Sequence, residues 1–252
     1  QTLQLATGLA VFILLVLSAA LPSIFSKLSH HKSFLSKIFK ATLILSTVFI
    51  CFALAAHVIP GFNNMALHEN VIISPAAGAV NIKANIDKAL AGIILLFLML
   101  ALALQPRPSA LLPKSQLALI PLYVFLVLVV AYFSGLNIDI KLPAQFISFA
   151  LTNLLFSVIA EEALFRGLIQ NGMSNLLKEK TQYAAYIGII FTSIIFGLAH
   201  IAGGWHFVVL ATFAGLLYGW VYHKSGKLSL AILTHWGVNI GHFLLLVYPV
   251  PK

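Results

Sequence analysis

The stretch FSVIAEEALFRG, residues 156–167, sets two adjacent carboxylates, Glu161 and Glu162, and an arginine, Arg166, in strongly apolar surroundings. Ionisable side chains inside a membrane-length apolar run are costly and point to function unless neighbours neutralise them. On a helix, Glu162 and Arg166 stand four residues apart on one face and can form an ion pair. Glu161 is rotated by about 100° from that face and has no partner within its own segment. A desolvated carboxylate of this kind is suited to take a proton from water near neutrality. The plainer reading is that both carboxylates clamp neighbouring helices through hydrogen bonds.

Two further segments carry polar groups that lipid excludes. FGLAH ends in His200, and THWGVNIGH places His235 and Asn239 four apart on one helix face, with His242 three further on. An imidazole and a carboxamide together can donate hydrogen bonds to a developing oxyanion. Taken singly, His200 reads as a satisfied core histidine, and His235 with Asn239 as an interhelix clamp. Taken together, three separate helices would bring an acid, two imidazoles and an amide to one water.

The elements that must hold these groups are membrane helices. Of the 252 residues 61% are hydrophobic and only 8% charged, whereas a soluble domain is about a quarter charged. Apolar runs at about 3–22, 41–60, 88–105, 117–135, 146–166, 184–202, 206–222 and 228–248 each approach the roughly 20 residues that cross the hydrocarbon. Punctuation falls at Pro60-Gly61, Pro106, Pro108, Gly135, Pro143, Gly203-Gly204 and Gly226. The expectation is an all-α, polytopic membrane helical bundle of about eight transmembrane helices. It forms a single domain over 1–252, with N-terminal spans at about 3–135 and the polar helices at about 146–248. The first run is read as a mature span rather than a cleaved leader. Cys51, the single cysteine, reads as a small core residue.

The net charge of +9 follows membrane topology rather than nucleic-acid binding, which is set aside. One set of alternate loops and helix ends holds Lys27, Lys32, Lys37, Lys40, Arg107, Lys114, Arg166, Lys178, Lys180, Lys224 and Lys227; the other holds Lys83, Lys88, Lys141 and Lys252. The first set is cytoplasmic by the positive-inside rule. Both termini then face outward, and 61–87 forms the largest external loop. SKLSHHKSFLSKIFK, residues 26–40, could lie as an amphipathic helix in the headgroup layer or be an ordinary basic loop. Gly215 with Gly219 and Gly237 with Gly241 form small-residue faces for close helix packing. No internal repeat stands out, which argues against an inverted-repeat transporter.

Glu161-Glu162-x-x-x-Arg166, Phe196-x-x-x-His200 and His235-x-x-x-Asn239, in that order on successive polar spans, resemble the three motifs of the CPBP family. These are the CAAX-protease and bacteriocin-processing intramembrane proteases, also called Abi proteins. The resemblance covers about 146–242; the first four spans share only a general likeness. It implies an intramembrane endopeptidase in which Glu161 activates water with help from His200, and His235 and Asn239 stabilise the oxyanion. Glu162 and Arg166 would support the helix, and Phe196 would pack beside the site. Family members are described both as metalloproteases and as glutamate-type enzymes. No cofactor is favoured here; were zinc used, Glu161, His200 and His235 would be its ligands.

The expected substrate is a hydrophobic or membrane-anchored polypeptide: a prenylated CAAX tail, a leader peptide, or a C-terminal sorting tail in a bacterial inner membrane. Membrane lipids are the other expected partner, and the oligomeric state is not encoded legibly. Two other classes compete, a proton-coupled carrier and a catalytically silent immunity or scaffold protein. Helix rise puts Glu161 and His235 in the inner half of the membrane, under a cavity open to the cytoplasm or sideways to lipid. His200 would then meet them only if the sixth span began near Gly188, with 167–185 forming a separate cytoplasmic or re-entrant helix.

Overall fold

Lipid-length apolar sequence leaves the backbone no choice but to bond within itself, and eight helices follow among the described residues. The computed structural model describes residues 5–30, 33–62, 64–102 and 119–248. They form α1 (Leu5–His30), α2 (Phe34–Ala55), a hairpin of β1 (Met65–Ile72) and β2 (Ala79–Ala84), and α3 (Ile86–Ala101). There follow α4 (Ile120–Phe133), the long α5 (Phe146–Leu177), α6 (Ala184–Leu198), α7 (Trp205–Ser225) and α8 (Leu228–Leu245). Lys32, Arg107, Lys114, Lys252 and the breaks at Pro106 and Pro108 lie outside the described residues. So do the outer margins of the first, third and fourth apolar runs.

α1, α2, α5, α7 and α8 are long and apolar enough to cross a membrane, and α4 and α6 are shorter apolar helices. Their outward surfaces carry Phe12, Leu17, Phe49, Phe52 and Phe125 in the open, the face a lipid-embedded protein turns to acyl chains. Inside, Leu90, Ile94 and Leu95 of α3 pack on Cys51 and Leu54 of α2 and Ala163 of α5. A second core joins Val127 of α4, Phe165 of α5, Phe196 of α6, Tyr218 of α7 and Val238 of α8.

Three expectations change. Among its described residues the basic segment 26–40 forms no separate helix: it divides between the end of α1 and the start of α2, where the Ser33 hydroxyl caps the helix by accepting from the Ser36 N–H. The outer loop 61–87 holds the antiparallel hairpin, whose Val80 and Ile82 bury against Phe149 of α5 and Phe243 of α8. The third change concerns residues 167–177, which continue α5 instead of forming a separate helix, while α6 begins at Ala184.

α5 is not uniform. Leu154–Val158 and Ala163–Gln170 are wound as π-helix, and between them stand only four α-helical residues, Ile159–Glu162. Such wide turns are rare and are frequently found at functional sites. Both carboxylates of the EE pair lie on this short insert.

The two ends of the bundle differ in charge. At the end opposite the hairpin stand Lys27, Lys37, Lys40, Lys178, Lys180, Lys224 and Lys227 against Glu179. At the hairpin end, Lys83, Lys88 and Lys141 face Glu69, Asp87 and Asp139. There the chain after α8 is tied to the α4–α5 connection: the Val247 N–H donates to the Asn137 carbonyl, and Lys141 donates to the Leu246 carbonyl and to Asp139.

Candidate active site

Glu162 and Arg166 lie in α5 beneath the bundle surface, both fully buried, with the Arg166 Nε 3.1 Å from Glu162 Oε2. The second Glu162 oxygen is 2.9 Å from His235 Nδ1, so this carboxylate holds a guanidinium with one atom and an imidazole with the other. That bond fixes the His235 tautomer when the ring is neutral: Nδ1 carries the hydrogen and Nε2 is left to accept. The ring is sandwiched further, stacked on Tyr218 at 4.6 Å between centroids and met edge-on by Phe196 at 5.5 Å. Arg166 in turn lies over the Phe196 face at 5.5 Å.

Gly219 and Gly215 of α7 allow this assembly to close. A Cβ on Gly219 would meet Gln170 Oε1 at 2.8 Å and Arg166 Nη1 at 3.1 Å. Gln170 uses that space to donate to the Gly219 carbonyl, 3.0 Å away. At Gly215 a Cβ would crowd the Ser193 backbone at 3.3 Å.

Glu161 is not left unpartnered, as its own segment suggested. Lys88, in the first turn of α3, reaches it with Nζ 2.7 Å from Oε1. The other oxygen, Oε2, is 3.9 Å from His235 Nε2, too far for a direct hydrogen bond. With Glu161 and Glu162 facing Lys88 and Arg166, the formal charges of the cluster balance. Lys88 went unrecognised because the sequence places it beside the outer loop, where it counts as a topological charge; only the fold turns it inward.

The remaining candidates occupy the other side of His235. His200 follows the end of α6, its Nδ1 2.7 Å from the Phe196 carbonyl and its ring 4.6 Å from that of Phe196. His200, His235, Asn239 and His242 line one chamber of about 60 Å³, room for a few waters. Asn239 does not share a bond with His235; its amide donates to Asn153 Oδ1 of α5, 3.1 Å away. Glu161 and Lys88 instead floor an apolar crevice between α2, α3 and α5. His235 therefore stands between two cavities, in reach of Glu161 on one side and open to the His200 chamber on the other.

Lys88 lies at the hairpin end of α3 and His200 just beyond the hairpin end of α6, while Glu161 is the sixteenth of the 32 residues of α5 and His235 the eighth of the 18 of α8. α6 begins at Ala184, so His200 needs no span shortened to Gly188 to line one chamber with His235.

For zinc the donor set Glu161, His200 and His235 is a poor match. Among the described residues no three His, Cys, Asp or Glu side chains are grouped to hold an ion. Lys88 puts an ammonium on the carboxylate that a dication would need. The arrangement is one of charge-paired acids around an imidazole.

No curated protein and no solved structure matches the chain. A family model does match, over residues 143–241, and its description is type II CAAX prenyl endopeptidase Rce1-like. That stretch runs from just before α5 to Gly241 in α8 and holds Glu161, Glu162, Arg166, Phe196, His200, His235 and Asn239. Over that stretch this integral membrane chain is similar to the CAAX-type intramembrane proteases of the CPBP family.

Proposed function

We propose that the chain hydrolyses a peptide bond in a membrane-anchored polypeptide, with water activated by Glu161 and without metal. The observation carrying this reading is the placement of His235 Nε2 3.9 Å from Glu161 Oε2 while Glu162 grips Nδ1. One water bridging that gap would give its proton to Glu161 and attack the carbonyl carbon. Protonated in turn by the acid at Nε2, His235 would donate to the oxyanion, its positive charge stabilised by Glu162. Collapse of the tetrahedral intermediate expels the amine, which takes the proton back. Lys88 holds Glu161 in place, Arg166 anchors Glu162, and His200 and Asn239 line the chamber through which water arrives.

The substrate class follows from position. The family is named for CAAX prenyl endopeptidases, whose tails would reach a cytoplasmic opening. Here Lys88 meets Glu161 from the hairpin end, opposite the lysine-rich end that the positive-inside rule assigns to the cytoplasm. That favours a polypeptide anchored with its scissile region on the outer side, such as a C-terminal sorting tail in a bacterial inner membrane.

Reconstituted protein and single-span reporter peptides test the proposal. Wild type should release a product that the Glu161→Gln variant does not, and a chelator should leave turnover unchanged. Transport of a solute without cleavage, or undiminished function in the Glu161→Gln variant, would falsify it.

A further inference from the structure

A cavity of about 750 Å³ opens at the hairpin end, bounded by β2, the start of α5 and the connection into α3. Four consecutive β2 residues, Val80, Asn81, Ile82 and Lys83, line it. Side chains of successive strand residues point to opposite faces, so a cavity touching all four runs along the edge of the strand and not across one face. β1 contributes no residue to it, and β2 pairs only with β1 among the described residues. The free edge of β2, with its unclaimed backbone N–H and carbonyl groups, therefore borders open space.

The opposite wall leads to the candidate site. Asn153 and Ser157 of α5 line the cavity, and they precede Glu161 at steps of four, one polar residue per turn. Asn153 also accepts from Asn239, which lines the His200 chamber. A chain lying along β2 would pass Asn153 and Ser157 on its way to Glu161.

We infer that this cavity binds an extended stretch of the substrate polypeptide as a third strand on β2, feeding the adjacent peptide bond toward Glu161. Backbone hydrogen bonds would supply binding that tolerates varied sequence, as in other strand-addition complexes. Polar lining suits a peptide better than an acyl chain. Charge narrows the class further: no carboxylate lines the cavity, His57 is already paired with Asp87 at 2.6 Å, and Lys83 has no ion-pair partner among the described residues. The favoured occupant is a neutral-to-acidic segment flanking the membrane anchor. The identity of that occupant as substrate rests on the hydrolase reading; its docking does not require turnover.

The test uses the full-length Glu161→Gln protein in nanodiscs, so that binding is read without cleavage. The probes are synthetic peptides with an apolar span of about 20 residues and a six-residue extension, the length of β2, built from Asp, Ser and Thr or from Lys, Ser and Thr. Hydrogen exchange of the 79–84 amides should slow with the acidic probe, and N-methylation of alternate amides in the extension should abolish that protection. Lys83→Glu should reverse the charge preference, each charge change altering affinity by up to about fivefold. Binding without protection of 79–84, binding indifferent to N-methylation, or no binding at all overturns the inference. Protection by a probe that wild type never cleaves would instead count against the hydrolase reading and leave the docking intact.

Discussion

Lys88 Nζ and Glu161 Oε1 lie 2.7 Å apart, joining the first turn of α3 to the short α-helical insert of α5. Both side chains are about one-fifth exposed, so the pair sits at the rim of the crevice and not in the sealed core. Lys88→Met should lower cleavage of a single-span reporter by at least about tenfold by freeing the Glu161 carboxylate to swing away from His235. Lys88→Arg should retain most turnover. Equal loss in both variants would show that Lys88 has another task.

The inner pair is a different matter. Glu162 and Arg166 are fully buried, and removing one partner of such a pair costs about 3–5 kcal/mol. Glu162→Ala is expected to lower the thermal midpoint in detergent sharply, whereas Glu162→Leu combined with Arg166→Met should recover much of the loss. If the single variant melts like wild type, the pair contributes little to the fold.

His235 is expected to matter for rate more than for folding. His235→Asn keeps a donor near the Glu162 carboxylate but removes the Nε2 that faces Glu161, and should reduce turnover by about 10²-fold or more. Circular dichroism and elution volume should be unchanged. A turnover number within a few-fold of wild type would remove His235 from the reacting centre.

Gly219 is a packing test. Gly219→Leu would drive a side chain into Gln170 and Arg166, where even a Cβ meets Gln170 Oε1 at 2.8 Å. The expected cost is about 1–3 kcal/mol, read as a lower melting temperature, with turnover falling as Arg166 is displaced.

Outside the spans, Asp139 gives a pH dependence. Its carboxyl is held below the usual range first by the hydrogen bond from Lys141 and then by that from the Ser74 hydroxyl. The sign follows: the stabilisation is complete above the ordinary aspartate value of about 3.9 and disappears as pH falls below it through the folded-state value. Melting temperature should therefore drop for wild type in acid more steeply than for Asp139→Asn. Parallel curves would refute the assignment.

The EE pair, His200 and the His235–Asn239 step were legible because lipid makes each of them expensive, so their presence alone is a signal. Helix number was legible for the same reason. Lys88 was not, since a lysine at a span margin satisfies topology without any partner. The hairpin had a readable trace in the alternation of Val80, Asn81, Ile82 and Lys83, but a short strand between membrane spans competes with every reading of a loop. The separate helix expected over 167–185 failed because counting residues assumes helices of equal length and pitch, whereas α5 runs for 32 residues and contains two wide turns.

Those wide turns have a further consequence. Each π stretch is equivalent to a surplus residue that changes the angular phase of whatever follows it. Deleting one residue from Leu154–Val158 would let the backbone relax into ordinary α-helix, a gain for the helix in isolation. It would also turn Ile159–Glu162 by about 100°, sending Glu161 away from Lys88 and Glu162, together with Arg166, away from His235. In this chain an irregular helix is what aims the carboxylates, and a more regular sequence would be a blank one.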